Sequence, residues 1–362
     1  MLKPSIKLAH RPTRRPDGLI WIGSMQYGLA TELDDSTGLV WPVCQRMDGT
    51  LTKDELIAAV AADRAARPAE VEEVVDFLIG SGWVEDIGAP APATLSEREL
   101  GRYERGVQFQ SWIDAKQRSS RYELQARLKA SKVTVLGVGG TGSAVAASLV
   151  ASGVGRVHCV DFDALELGNL NRQLLYSEAD VGQLKVDAAV GRLSSMNSDV
   201  EVTGANLRLT SAEDIVGQVR GSDAFVLCAD SPDQIVYWAN EAAVRLRTPL
   251  LTGAYTGPML MSVCIIPGTT GCYECMAISE REAGRGELLE ADRRVPGFHP
   301  VMAPAAQMAG HFVAMETIYL LFGMNVQTAG RYLHRDLLDH DHQYYIEAKR
   351  RPDCPTCATV TS

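Results

Sequence analysis

Along the chain the spacing of apolar positions changes period several times, and each change marks an element. Val71, Val74, Val75 and Leu78 follow i, i+3, i+4, i+7 spacing, one buried face of a helix, and Gly80 with Gly82 stop it. Thr52 followed by Glu55 has the spacing of a reciprocal N-terminal cap and opens a helix to about Ala62. Short apolar runs at Leu19–Gly23 and Tyr27–Leu33 predict strands joined by a turn, and Trp83-Val84 predicts a returning strand. Residues 1–86 thus predict a small α+β unit of winged-helix-like outline. Farther along, Ser131–Gly137 (SKVTVLG) is a short buried strand, followed by a helix of small residues through Ser152 that ends at Gly153. Arg156–Val160 and Ala224–Cys228 predict two more strands, and Lys185 begins a helix to about Met196. Between the two regions Ile87–Ser96 (IGAPAPATLS) holds Pro90 and Pro92 among small residues, which predicts a linker. The expected division is residues 1–86, a linker at 87–97 and a larger domain at 98–362.

Composition narrows the function classes. The 362 residues carry 35 Lys+Arg against 45 Asp+Glu, a formal charge of −10, with 46% hydrophobic and 22% charged residues. That is the balance of a globular chain. The acidic excess argues against a protein that holds nucleic acid by charge. Residues 1–90 share it, with 9 basic and 14 acidic side chains, and a winged helix that reads DNA presents a basic face. The most apolar windows, Gly142–Val154 and His311–Gly323, are shorter than the roughly 18–20 residues that cross a bilayer. The start, Met1–Gly18, is basic at Lys3, Lys7, Arg11, Arg14 and Arg15 but has neither an apolar run nor a cleavage site. A cytoplasmic enzyme, free of membrane and nucleic acid, is the expectation.

Candidate chemistry begins at Gly137-Val138-Gly139-Gly140-Thr141-Gly142, between the strand and the small-residue helix. Strand, GxGGxG, helix is a nucleotide-binding context in which glycines admit phosphate oxygens and helix N–H groups favour the anion. The next strand delivers Asp161, nineteen residues after Gly142, where a carboxylate meets a ribose hydroxyl in a Rossmann-like, doubly wound and mostly parallel α/β sheet. No Gly-Lys-Ser/Thr follows, which argues against a P-loop. At this point both NAD and ATP remain open. Asp163, Asn169, Asn171, Arg172, Gln173 and Lys185 then bring amide, guanidinium and ammonium groups that hydride transfer does not need. A triphosphate does need them, since one cation–anion pair at about 4 Å is worth roughly 4 kcal/mol before desolvation. Asp230, after the Ala224–Cys228 strand, is a candidate Mg²⁺ ligand. Solvated surface charge stays open for Arg172 and Lys185, and Asp163 could simply cap the following turn.

Cys272-Tyr273-Glu274-Cys275 and Cys354-Pro355-Thr356-Cys357 form CxxC…CxxC with 78 residues between them. Four thiolates complete a closed tetrahedral shell suited to structural Zn²⁺, with two disulfides or redox motifs as the alternatives. Of the other cysteines, Cys159, Cys228 and Cys264 lie in apolar strand contexts as small hydrophobes, and Cys44 lies on the helix side of the first unit. His334-Arg335-Asp336 with Asp339–His342 offers metal-like ligands, but the alternation there predicts a surface strand and turn. His299 and His311 have no evident base partner and are expected to be structural.

Residues 98–357 resemble the ThiF/ubiquitin-activating-enzyme family in the run GVGGTG, VDFDALELGNLNRQ, GQLKV and CAD, in the family's order. The resemblance implies an adenylating enzyme. Gly140 would border the nucleotide, Asp161 would bind its ribose, and Asn169 and Arg172 would contact phosphates. Lys185 would hold the α-phosphate and the leaving pyrophosphate, Asp230 would bind Mg²⁺, and the four cysteines would bind zinc. It further implies a homodimer in which Arg105, from Arg102-Tyr103-Glu104-Arg105, reaches the partner subunit's site, although Gly106 replaces the usual glutamine. Roughly residues 1–90 resemble PqqD-like leader-peptide recognition domains. That resemblance rests on the opening hairpin, Ser36-Thr37-Gly38, Met47-Asp48-Gly49-Thr50 and Gly82-Trp83-Val84-Glu85. It implies a precursor peptide that adds as a strand. Members that pass substrate to sulfur carry a crossover cysteine, and Met276–Pro304 has none. The combination resembles the microcin C and pantocin types of peptide-modifying enzyme and implies ATP-dependent activation of a peptide carboxylate. A non-catalytic leader-binding scaffold for a cyclodehydratase, a sulfur-carrier adenylyltransferase and an NAD-dependent oxidoreductase remain the rivals.

Overall fold

Period and capping carry directly into the first elements of the structure, a computed structural model that describes residues 1–23, 30–284 and 300–359. The chain packs as two compact units, Met1–Arg127 and Leu128–Ser362, so the division by compactness falls downstream of the 87–97 linker.

In the first unit, strand β1 (Pro4–Ile6) is set by an apolar-out-apolar pattern, and β2 (Thr13–Arg14), β3 (Ile20–Ile22) and β4 (Thr31–Leu33) form an antiparallel sheet. Of the strand expected over Tyr27–Leu33, only Thr31–Leu33 is seen as strand, and 24–29 lie outside the described residues. Helix α1 (Val40–Arg46) follows Ser36-Thr37-Gly38, with Leu39 as its N-cap, and the Asp35 carboxylate accepts the N–H groups of Val40 and Trp41. Thr52 and Glu55 cap α2 (Lys53–Arg64) reciprocally, and α3 (Pro68–Gly80) buries Val71, Val75 and Leu78 while Val74 is only half-buried. Gly82, at φ +80°, turns the chain into β5 (Val84–Asp86), which pairs antiparallel with β1. Ser96 and Glu99 cap α4 (Glu97–Ile113) in the same reciprocal way, and α5 (Glu123–Ala130) crosses the division between the units.

The second unit alternates strand and helix from β6 (Lys132–Leu136) and α6 (Gly140–Ser152) through β7 (Arg156–Asp161), α7 (Lys185–Met196) and β8 (Glu201–Asn206). It continues through α8 (Ala212–Val219), β9 (Ala224–Leu227), α9 (Ile235–Leu246), β10 (Leu250–Thr256) and β11 (Met259–Ile265). Helices α10 (Tyr273–Glu282) and α11 (Ala303–Leu321) precede β12 (Arg331–Asp336) and β13 (Gln343–Glu347). The eight strands lie in the order β13-β12-β11-β10-β9-β6-β7-β8. Pairs from β10 to β8 are parallel and those from β10 to β13 antiparallel. This is the Rossmann-like sheet the sequence predicts. Its central strands are apolar because helices cover both faces: β9 is buried at all four positions. The strand order reverses between β6 and β9, the point beyond whose carboxyl ends open α/β sheets place their ligand crevice. Among the described residues no helix is long and apolar enough to cross a membrane.

Helices α6 and α11 approach closely because both present small residues. A Cβ on Gly310 would meet the Thr141 carbonyl and, at 2.6 Å, Ala144 Cβ. Gly310→Ala should therefore cost about 1–3 kcal/mol by overpacking, read from urea denaturation of the full chain. Gly217→Ala, whose Cβ meets nothing within 4 Å in the interior of α8, should instead gain roughly 0.5–1 kcal/mol. Equal effects from both would contradict this packing.

Candidate functional site

The crevice begins with a backbone turn. Gly137, at φ +88°, donates its N–H to Val160 O at 2.7 Å, and a Cβ on Gly142 would lie on the Gly137 carbonyl. Gly139 is the N-cap of α6 and Gly140 its first residue. The first N–H groups of a helix have no acceptor within it, which makes this end an anion site.

Asp161 ends β7 and is buried. Its Oδ2 accepts the Val138 N–H at 2.8 Å and its Oδ1 accepts the Asp163 N–H at 2.9 Å. Each oxygen keeps a further lone pair for a hydroxyl donor. Asp163 does more than cap a turn: its Oδ2 lies 2.7 Å from Lys185 Nζ, and its carbonyl accepts the Lys185 N–H. The Lys185 side chain is 9% exposed, so it is no solvated surface charge. Tyr176, which the motifs do not flag, donates its phenol to Val138 O at 2.8 Å and thereby ties the glycine turn to the segment entering α7.

Arg172 is half-buried, with its stem packed 3.3 Å from where a Gly140 Cβ would stand. Its Nη1 donates to Asn171 Oδ1 at 3.0 Å and to Gly168 O at 3.3 Å. Asn169 Oδ1 accepts the Glu166 N–H at 3.2 Å and its carbonyl accepts the Gln173 N–H, so this amide also braces its own loop. Gln173 is 2% exposed, and its Oε1 is buried without a hydrogen-bond partner. Such an orphan costs about 1–3 kcal/mol, a cost that a ligand donor would relieve. Asp230 is exposed beyond β9, open to a hard cation. Tyr255 of β10 shares the corner: burial pushes its phenol up, Arg172 pulls it back and Asp230 adds to the rise.

The second unit thus gathers the glycine turn, Asp161, Asp163, Asn169, Asn171, Arg172, Gln173, Lys185 and Asp230 around the ends of β6, β7 and β9. Arg105 is exposed on α4, in the first unit. Three contributors belong to no motif. Tyr176 and Tyr255 stand at no distinctive spacing, whereas Gln307 leaves a trace as a single amide in the mostly small-residue run Ala303–Gly310. Its Nε2 donates to Gly140 O at 3.1 Å and Arg172 O at 2.9 Å.

A second cluster closes the tail of the chain. The sulfurs of Cys272, Cys275, Cys354 and Cys357 all lie within 4.8 Å of one another and all four residues are buried. The separations Cys272–Cys275, Cys272–Cys354 and Cys275–Cys357 are 3.8, 3.6 and 3.4 Å. A tetrahedral Zn²⁺ with bonds near 2.3 Å sets its sulfurs about 3.8 Å apart, so the donor set fits zinc in kind and spacing. Burial pushes the Cys272 thiol up to about 11. Arg351 steadies the second knuckle with bonds to both Glu282 oxygens and to Asp353. Cys159 and Cys264 are buried as expected, but Cys228 is only half-buried because it stands at the open end of β9. His334 stacks on Tyr344 with ring centroids 4.6 Å apart, and His311 Nδ1 lies 2.8 Å from Ser148 Oγ; His299 lies outside the described residues.

Residues 103–356 match the ThiF family model. The chain is 36% identical over 241 residues to the sulfur carrier protein adenylyltransferase of Thermus thermophilus, covering 65% of this chain and 85% of that one. It is 30% identical over 267 residues to the molybdopterin-synthase adenylyltransferase of Escherichia coli, covering 73% and 99%. Its fold matches the crystal structure of E. coli MccB with TM-score 0.78 at 22% identity, over 99% of this chain and 98% of that one. With the glycine turn and its carboxylates in place, the chain belongs to the ThiF family and is an adenylyltransferase. That membership sets aside the oxidoreductase.

The double variant Cys354→Ser, Cys357→Ser should lose about one zinc per chain by elemental analysis and unfold at a lower temperature. Structural zinc contributes folding free energy directly, so a metal-free variant with unchanged melting would contradict this role.

Proposed function

We propose that this chain uses ATP and Mg²⁺ to adenylylate a carboxylate on a ribosomally made peptide, which residues 1–86 recruit as a PqqD-like module. The observation that carries the proposal is the extent of the fold match. MccB, the microcin C7 biosynthetic enzyme, is similar over nearly the whole chain, the first unit included, and has been crystallised with ATP and with N-formylated MccA. The sulfur carrier protein and molybdopterin-synthase adenylyltransferases match only 65% and 73% of this chain.

The chemistry suits the residues. A carboxylate repels nucleophiles, but its oxygen can attack the α-phosphorus of ATP; the bond to the β-phosphate breaks and pyrophosphate leaves. The protein has to hold anions in line and meet the charge that develops. Arg172, Lys185 and the N-terminus of α6 supply positive charge, Asp161 has spare capacity for the ribose, and Asp230 would hold Mg²⁺, which takes oxygen ligands. Asn169, Asn171 and Gln173 would contact the nucleotide. Zinc would be structural. The assembly we infer is a homodimer in which Arg105 completes the partner's site. No protein nucleophile is required, consistent with the lack of a cysteine in Met276–Pro304.

Activation of a sulfur-carrier protein is the second reading, favoured by the higher identity of those relatives. Exchange of pyrophosphate into ATP separates the two. Exchange should depend on the cognate precursor peptide and fall at least roughly 100-fold in Lys185→Ala and Arg172→Ala, with melting temperatures near that of the parent. Exchange driven by a sulfur carrier and not by the peptide would favour the second reading. No exchange with either would favour a leader-binding scaffold.

A further inference from the structure

The nucleotide cradle draws on two segments that have no covalent reason to stay in register: the glycine turn with the start of α6, and the loop that carries Arg172. Tyr176 ties the turn to the far end of that loop through Val138 O, and a second side chain bonds to Gly140 and Arg172 themselves. Gln307, in the second turn of α11, sends its two amide hydrogens to Gly140 O at 3.1 Å and to Arg172 O at 2.9 Å. Because both targets are carbonyl oxygens, only the NH₂ end of the amide can face them, which fixes its orientation. The neighbouring Ala306 is fully buried, with its Cβ 3.1 Å from where a Gly140 side chain would begin, and the Arg172 stem packs on the same glycine at 3.3 Å. Helix, loop and amide therefore meet at one point, drawn from positions 167 and 135 residues away from Gln307.

Either carbonyl could be satisfied by water, and an apolar residue would fill a half-buried place in α11 as well as a glutamine. The double donation has a different consequence. It sets the distance between the positive end of α6 and the backbone from which the Arg172 guanidinium projects. We propose that Gln307 is a positioning residue for adenylylation, holding Arg172 in register with the N-terminus of α6 so that both bear on one phosphate tail. This rests on the reading of the crevice as an ATP site. A misplacement of about 1 Å in such a site costs on the order of 100-fold in rate.

The test uses the full chain with Gln307→Leu, which donates nothing, and Gln307→Glu, which is isosteric and donates only when protonated. Amide hydrogen exchange over residues 167–176 in the absence of nucleotide reports the tether without any assumption about chemistry. Exchange there should rise roughly 5-fold or more in both variants while β6 stays protected. In the pyrophosphate assay kcat should fall roughly 10- to 100-fold with KM for ATP within about 3-fold. Relative to the parent at the same pH, Gln307→Glu should recover part of its activity as the pH is lowered, because a protonated carboxyl re-forms one of the two bonds, and Gln307→Leu should not. Unchanged amide exchange overturns the tether, and raised amide exchange with unaltered kcat overturns its role in catalysis. An inactive parent with raised amide exchange in the variants overturns the reading of the site, and the catalytic role with it, while leaving the tether standing.

Discussion

Asp161 fixes the geometry on which the rest of the second unit's site depends. It accepts one N–H from the glycine turn after β6 and another from the loop after β7, at 2.8 and 2.9 Å. A buried turn must find acceptors for its backbone donors, and here a charge supplies them, which makes these bonds stronger than neutral ones. The sheet order places that charge beside the point where strand direction of travel reverses, and Tyr176 adds a second tie through Val138 O. The turn is therefore held open in shape before any ligand arrives.

The cations around it are prepared differently from one another. Lys185 is nearly buried, and a buried ammonium needs a counter-charge; Asp163 provides it at 2.7 Å. Arg172 has neutral partners instead, the Asn171 amide oxygen and the Gly168 carbonyl. An arriving anion has to share Lys185 with Asp163, whereas it meets an Arg172 whose charge is still uncompensated by those bonds. One group is held in place at some cost in strength, and the other keeps its strength but needs its loop steadied.

Much of this was legible in the residues. Capping pairs such as Thr52 with Glu55, the helix stop at Gly153 and the start of α7 at Lys185 follow from local rules that act over three or four residues. The fingerprint glycines announce themselves by spacing alone, and Asp161, Arg172, Lys185, Asp230 and the four cysteines by candidate side-chain chemistry in a set order. What stayed hidden depends on distant partners. Nothing near Asp163 reveals that it faces an ammonium 22 residues away, and nothing near Tyr255 places it by Arg172 and Asp230. The start of α1 illustrates a smaller case: the Asp35 carboxylate reaches the N–H groups of Val40 and Trp41 from five and six residues away, beyond the three-residue spacing of a local cap.

The four thiols come from either side of a stretch of 78 residues that includes α11, β12 and β13. With an ion bound, Cys275 and Cys354 close that stretch into a ring through sulfur and metal. A single protease nick anywhere inside the ring would leave the two fragments fastened together, so the polypeptide could be severed there without the edge of the sheet coming away.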